Sequence, residues 1–148
     1  EYKNTRFSTL GCGAIITAAG LKVDDRLAQI YDQMSKIIER YRPEEMAIEE
    51  LFFNTNQKTV ITVAEARGVM LLCARHHALH LYEYTPLQVK QAVVGYGRAE
   101  KSQVIAMVTS LLNLQKPPKP DDTADALAIA VCHAHTGSSR LRAFYNLR

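Results

Sequence analysis

Acidic side chains in two separate segments are the residues of this sequence best suited to chemistry. Glu49 and Glu50 lie within the otherwise apolar run MAIEELFF at residues 46–53. Successive side chains of a β-strand point to opposite faces, so these two carboxylates are expected to separate. If the strand is covered on both faces, one of them requires a compensating charge or a metal. The alternative is an exposed strand end at which both carboxylates are solvated.

The second acidic segment contains Asp122 and Asp125, which share one face of a predicted helix because they are three residues apart. Helix capping is one reading, with Asp121 or Asp122 as N-cap and Asp125 as a favourable acid of the first turn. The other reading joins this pair with Glu49. Clusters of oxygen donors suit Mg²⁺ or Mn²⁺, and with a phosphodiester substrate they can form a two-metal hydrolysis site.

The elements that must position these carboxylates alternate between strands and helices. Apolar runs and turn residues predict strands over residues 6–17, 45–53 and 79–84, and a loop at 54–56. Helical periodicity predicts helices over residues 24–41, 57–77, 87–94, 100–114 and 122–134. This order predicts an α/β fold with at least partly parallel strand pairing, followed by a basic C-terminal tail at residues 136–148.

Composition narrows the class of protein. The 148 residues, 47% hydrophobic and 22% charged, predict a single globular domain spanning residues 1–148. We expect no membrane-spanning helix, because charged residues or histidines interrupt every apolar stretch. The three cysteines show no CxxC spacing. They therefore argue against a structural zinc site or a disulfide framework, and they favour a reducing compartment, the cytoplasm.

Positive charge is concentrated in the C-terminal part of the chain. Residues 1–89 have a net charge of −1, whereas residues 90–148 have a net charge of +4 despite the acidic cluster at 121–125. Basic residues around a compact acidic cluster are compatible with polyanion binding near a metal site. Ordinary solvated charges and a basic tail explain the same counts.

Five segments together resemble the bacterial RuvC family of Holliday junction resolvases. They are AIEE (47–50), EARGV (65–69), QVKQAVVG (88–95), AEKSQV (99–104) and DTADALAIA (122–130). They occur in the family's order across about residues 6–135. The resemblance implies an RNase H-like mixed sheet flanked by helices. It also implies a homodimer, a branch-migration helicase partner, and Mg²⁺-dependent symmetric nicking of four-way DNA junctions in recombination and repair.

The resemblance also implies a metal site. Glu49, Asp122 and Asp125 match three of the family's four metal-binding carboxylates. The fourth is an Asp in a GIDPG-like motif on the family's first strand, whereas this sequence begins EYKNTRF, which resembles the turn between the second and third strands. The resemblance therefore implies that the first strand and most of the second are missing. The alternative function is a catalytically incomplete, junction-binding fragment.

Four further residues are candidates for contacts with DNA. Lys90 and Lys101 match two lysines that the family uses around the scissile phosphate, and Phe52 matches an aromatic residue that contacts bases at the junction. Arg98, beside the Gly-Tyr-Gly turn at 95–97, is a candidate phosphate contact. The helix at 57–77, which carries several small residues, is a candidate dimer contact, with packing on its own sheet as the alternative.

Histidine and cysteine are common metal ligands, but here they are expected to have structural roles. His133 lies about two turns from Asp125 on the same helix face, so we expect it to be packed or hydrogen-bonded. Cys73 and Cys132 fall among apolar residues and are expected to fill space in the core.

Overall fold

The computed structural model describes residues 1–50 and 57–137. In that part of the chain it contains β1 (Tyr2–Lys3), β2 (Arg6–Phe7), α1 (Val23–Tyr41), β3 (Glu45–Glu49), α2 (Gln57–His76), β4 (His80–Tyr84), α3 (Pro86–Val94), α4 (Lys101–Leu111) and α5 (Asp121–Gly137). The chain divides into two compact units. Unit 1 comprises Glu1–Ala14, Ala47–Glu50 and Tyr82–Arg148, and unit 2 comprises Ile15–Met46 and Leu51–Leu81. That residues 1–148 form one domain stays a prediction.

The strands form two small sheets. β1 and β2 are antiparallel, with Tyr2 opposite Phe7 and Lys3 opposite Arg6, and β3 pairs with β4. The Glu44 carbonyl accepts from the His80 N–H at one end of β3, and the Tyr84 carbonyl accepts from the Glu50 N–H at the other. The residue numbers of the hydrogen-bonded partners increase in the same direction along both strands, so β3 and β4 are parallel, as predicted. Parallel neighbours need a crossover connection, which α2 supplies.

The predicted strand over residues 6–17 is wrong beyond Phe7. Only Arg6–Phe7 is extended and paired, and residues 8–17 form neither strand nor helix. Leu10 and Ile16 are 61% and 75% exposed. The run has the apolar and β-branched residues of a strand, but a strand also needs a hydrogen-bonding neighbour. Among the described residues β2 pairs only with β1, so side-chain propensity alone does not extend it.

Local signals explain where α1 and α3 begin and end. Asp24 and Asp25 lie in the first turn of α1, where the helix dipole favours acids. α1 ends at Tyr41 and is capped by Arg42, which is left-handed (φ 46°) and whose N–H donates to the Ile38 carbonyl at 2.7 Å. α3 begins with a capping box at Thr85 and Gln88, ends at Val94 and is capped by left-handed Gly95 (φ 92°). Both helices were predicted to within one residue at each end.

The last two helices differ from prediction at their C-terminal ends. α4 ends at Leu111, three residues before the predicted 114, and the chain then turns through left-handed Asn113 (φ 50°). α5 continues to Gly137, three residues beyond the predicted 134. The Thr136 hydroxyl donates to the Cys132 carbonyl at 2.8 Å, a bond compatible with continued helix. No helix within residues 1–50 and 57–137 is long and apolar enough to cross a membrane.

Each unit has its own apolar core. In unit 1, α3, α4 and α5 pack together and bury a cluster comprising Tyr84, Val89, Val93, Ala99, Val104, Val108, Ala128, Val131 and Cys132. In unit 2, α1 packs against α2 around Ile38, Cys73, Ala74 and Leu79. Cys73 is 0% exposed and Cys132 is 2% exposed, which confirms both as core residues.

His133 is also held in unit 1 by direct contacts, as predicted. Its Nδ1 lies 2.7 Å from the hydroxyl of Tyr84, a side chain that is 1% exposed. Its ring packs on Tyr82 with the ring centres 4.5 Å apart. These contacts join the end of β4 to α5, the helix that carries Asp122 and Asp125.

The Tyr84 hydroxyl provides a test of this junction. We expect Tyr84→Phe to lower the free energy of unfolding by about 1 kcal/mol, the usual net value of one buried hydrogen bond. Urea unfolding followed by circular dichroism measures the change. Tyr96→Phe is the matched control, because Tyr96 is 46% exposed and a surface change there should stay within about 0.5 kcal/mol. Equal effects of the two substitutions would contradict the structural role of the Tyr84–His133 bond.

Candidate metal and nucleic-acid site

Glu49 lies at the carboxyl end of β3, in unit 1. The end of β3 is fixed there by the hydrogen bond from the Glu50 N–H to the Tyr84 carbonyl, at 2.9 Å. Glu49 is exposed, as the alternative of a solvated strand end expects, whereas Glu50 is half-buried. The strand end is open to solvent, yet the Glu49 carboxylate has a charged neighbour.

That neighbour is Asp125, one turn into α5. Partial burial of the Glu49 carboxyl group raises its pKa, and the negative charge of Asp125 raises the pKa further. The structure therefore brings together two of the three carboxylates that the sequence singled out. Asp122, in the first turn of α5, has a side chain that is 91% exposed, compared with 45% for Asp125.

Lys101 supplies positive charge to this group. Its ammonium donates to Asp125 Oδ2 at 3.0 Å and lies 3.7 Å from Asp122 Oδ1. The hydrogen bond to Asp125 is the main reason why the pKa of Lys101 is raised, and the negative charges of Asp125 and Asp122 add to the effect. Lys101 is the first residue of α4, and the side-chain oxygen of Gln103 accepts from the Glu100 N–H at 2.9 Å just before it.

A second ion pair, which the sequence analysis missed, lies beside the first. Lys119 Nζ donates to Asp121 Oδ1 at 2.9 Å, and this hydrogen bond lowers the pKa of the Asp121 carboxyl group. The two residues are two positions apart, across Pro120. The short spacing between Lys119 and Asp121 in the sequence was the signal from which this ion pair could have been predicted. The pair gives Asp121 a cation of its own.

Comparison with known proteins decides the family. The family model described as crossover junction endodeoxyribonuclease RuvC matches residues 1–133. The chain belongs to the RuvC family. A RuvC of Alkaliphilus oremlandii is 58% identical over 138 residues, which cover 93% of this chain and 84% of the relative. A RuvC of Caldanaerobacter subterraneus subsp. tengcongensis is 57% identical over 145 residues, covering 98% of this chain and 88% of the relative.

Solved RuvC structures share the fold. The Thermus thermophilus RuvC in complex with a Holliday junction substrate superposes with a TM-score of 0.86 at 34% identity, covering 93% of this chain and 83% of that chain. A second Thermus thermophilus RuvC structure gives a TM-score of 0.79 at 32% identity, covering 89% of this chain and 78% of that one. The RNase H-like α/β fold expected from the sequence is thereby confirmed.

The three carboxylates that the sequence singled out suit a divalent ion in their chemistry, but they are not gathered around one point in the structure. All three donors are carboxylate oxygens, which hard divalent ions prefer. The raised pKa of Glu49 reflects, besides burial, negative charge that a cation would offset. Nevertheless, residues 1–50 and 57–137 contain no group of three His, Cys, Asp or Glu side chains that could hold one ion as they lie. Asp125 instead forms an ion pair with the Lys101 ammonium.

The other sequence-predicted residues lie elsewhere in this RuvC chain. Lys90 is half-buried on α3, and Arg98 is exposed in the connection between α3 and α4, both in unit 1. Their contacts with DNA stay predictions. Phe52 lies outside the described residues, as do residues 138–148 of the predicted basic tail.

The pKa of Glu49 predicts how stability varies with pH. A raised pKa means that the folded protein binds this proton more tightly than the unfolded chain does. The resulting stabilisation is complete below the ordinary pKa of glutamate, about 4.3. It is lost as the pH rises through the pKa of the folded state.

In the absence of metal, we therefore expect Glu49→Gln to raise the melting temperature at pH 7 and to give no gain at the acidic limit. Thermal melts in EDTA across the pH range measure this. The matched control is Glu44→Gln, at an exposed position outside the site. A gain at pH 7 that is equal for both variants would contradict the Glu49–Asp125 interaction.

Proposed function

We propose that this chain is a structure-selective endodeoxyribonuclease that resolves four-way (Holliday) DNA junctions by paired nicking in recombination and repair. The observation that carries the proposal is the group formed by Lys101, Asp122 and Asp125, in which the ammonium lies 3.0 Å from Asp125 Oδ2 and 3.7 Å from Asp122 Oδ1. The electrostatic interaction of Glu49 with Asp125 adds the third carboxylate. Membership of the RuvC family supports it, as does the Thermus thermophilus relative described in complex with a Holliday junction substrate. We extend that substrate class to this chain.

Mg²⁺ is the proposed cofactor, with Mn²⁺ as a substitute, and Glu49, Asp122 and Asp125 are its proposed ligands. The donor chemistry supports this choice, because all three side chains offer carboxylate oxygen. When bound, such an ion supplies Lewis-acid stabilisation of the charge that develops on a phosphodiester. Gathering the three carboxylates around one ion requires the exposed Asp122 side chain to move, which its 91% exposure permits.

Basic and aromatic side chains then have the task of holding DNA. We assign phosphate contacts to Lys90, Lys101 and Arg98, since ammonium and guanidinium groups donate to phosphate oxygens. Lys101 is the best supported of these, because its ammonium already lies beside the carboxylates. We assign base stacking at the junction to Phe52, whose aromatic ring suits an unpaired base.

Paired nicking requires two sites, so we propose a homodimer. The α2 helix is the proposed contact, and the exposure of Ile61 (60%) and Leu72 (51%) on it supports this choice. The proposed partner beyond DNA is a branch-migration helicase, for which the support is family resemblance alone. We propose the cytoplasm as the compartment, and the three free cysteines are compatible with it.

A second candidate is junction binding without cleavage. It is favoured by the absence of a ready-made group of three metal-ligating side chains in the described part of the chain. A labelled four-way junction separates the two candidates. Nicking in Mg²⁺ that EDTA abolishes supports the nuclease. Binding in both buffers without nicking would support the second candidate, and absence of binding would contradict both.

The metal-ligand assignment predicts the effect of a single substitution. We expect Asp125→Asn to reduce the nicking rate at least about 100-fold, because a missing anionic ligand weakens stabilisation of the transition state. Junction binding in EDTA should persist. Nicking assays and gel-shift titrations measure these two quantities. Asp121→Asn is the matched control on the same helix, one turn earlier, and it should retain most activity because Asp121 is paired with Lys119. Comparable losses in the two variants would refute the assignment.

The phosphate assignment predicts a change in salt dependence. We expect Lys90→Ala to lower the slope of log affinity against log salt by about one, because one phosphate contact fewer releases one counterion fewer. Filter binding in EDTA at several salt concentrations measures the slope. Lys36→Ala, on an exposed residue of α1, should leave the slope unchanged. An unchanged slope in Lys90→Ala would remove Lys90 from the interface.

A further inference from the structure

Lys101 occupies a position between two carboxylates that are proposed to bind a divalent ion. Its ammonium is 3.0 Å from Asp125 Oδ2 and 3.7 Å from Asp122 Oδ1. The backbone brings Lys101 near both aspartates, because Lys101 begins α4 and α4 packs against α5, which carries them. The positive charge of Lys101 therefore interacts with two aspartates that are three residues apart on α5.

The two lysines near the start of α5 are not distributed evenly among its three aspartates. Asp121 has a cation of its own in Lys119, at 2.9 Å. Among the ion pairs of the described residues, Asp122 and Asp125 share one ammonium, that of Lys101. Because Asp125 both bonds Lys101 and raises the pKa of Glu49, the negative charge around Asp125 is only partly compensated.

We propose that Lys101 is the internal counter-cation of this site, which a divalent ion must displace from between Asp122 and Asp125 in order to bind. The inference rests on the proposed function. It gives Lys101 a second role, as counter-cation of Asp122 and Asp125, in addition to its proposed phosphate contact. In the metal-free protein Lys101 reduces repulsion between the carboxylates. Once displaced, the same ammonium is available to a DNA phosphate.

Exposure makes this exchange feasible. The Lys101 side chain is 50% exposed, and the Asp125 and Asp122 side chains are 45% and 91% exposed. Ion pairs this open to water are weak, so a divalent ion can compete with them. A buried pair at the same distances would have closed the site instead. The lysine also has a flexible four-carbon stem, which allows the ammonium to move without displacing α4.

Metal binding measured without DNA tests the proposal. Mn²⁺ is titrated into the full chain and free Mn²⁺ is followed by electron paramagnetic resonance. We expect Lys101→Met to bind Mn²⁺ about three- to tenfold more tightly than the wild type, because repulsion between an ammonium and a divalent ion is removed. Lys101→Arg keeps the charge and should bind like the wild type. Lys119→Met removes one neighbouring positive charge outside the exchange, and we expect less than about a twofold change.

Nicking of a four-way junction gives an independent readout. Lys101→Met should bind metal more tightly yet nick more slowly, because its phosphate contact is lost. Damage to the fold would weaken both properties, and circular dichroism melts in EDTA check that each variant is folded. Opposite changes in metal affinity and nicking therefore support the exchange.

The outcomes that overturn the inference are distinct from those that overturn the function. If the wild type and Lys101→Met bind Mn²⁺ equally, or if Lys119→Met matches Lys101→Met, then Lys101 does not compete with the metal and only the inference fails. If neither the wild type nor any variant binds Mn²⁺, the proposed metal site fails and the inference fails with it. Binding by Lys101→Met alone would support the inference in its strongest form.

Discussion

The electrostatic interaction between the Glu49 and Asp125 carboxylates is the constraint on which the candidate site depends. Glu49 comes from the end of a strand and Asp125 from the second turn of a helix, and they are 76 positions apart in the sequence. Two negative charges do not approach each other unless covalent structure and packing hold them there. The parallel pairing of β3 with β4 fixes the first, and the packing of α5 on α3 and α4 fixes the second. The raised pKa of Glu49 is in part a consequence of that proximity.

The position of these acids on α5 reconciles two interpretations that compete at the level of sequence. Acids in the first turn of a helix stabilise it by interacting with its dipole, whether or not they bind anything. Asp121 and Asp122 lie in that turn. Asp121 forms an ion pair with Lys119, whereas Asp122 and Asp125 are near Lys101. The helix therefore tolerates a dense negative patch because its own N-terminus and two lysines offset the charge.

Sequence reasoning succeeded where structure is decided locally. The apolar stripe and first-turn acids of α1, and the Thr85, Pro86 and Gly95 signals around α3, each act within a few residues, so the bounds of these helices were predictable. The strand expected at 6–17 failed because a strand depends on a neighbour that its own residues do not specify. The proximity of Glu49 and Asp125 followed from family resemblance, whereas periodicity and spacing could not establish it.

The role of Lys101 shows most clearly where prediction from sequence stops. The family resemblance assigns Lys101 to a phosphate contact. The spacing of residues 101, 122 and 125 does not predict that, without DNA, the ammonium forms ion pairs with the two aspartates. That contact depends on how α4 packs against α5, a tertiary property. It also has a functional consequence, because a cation that offsets carboxylate repulsion occupies space that another cation would need. The Lys101 and Asp125 side chains are each about half exposed. The difference in free energy between the paired and the displaced ammonium is therefore small, so a ligand that binds the carboxylates can displace the ammonium.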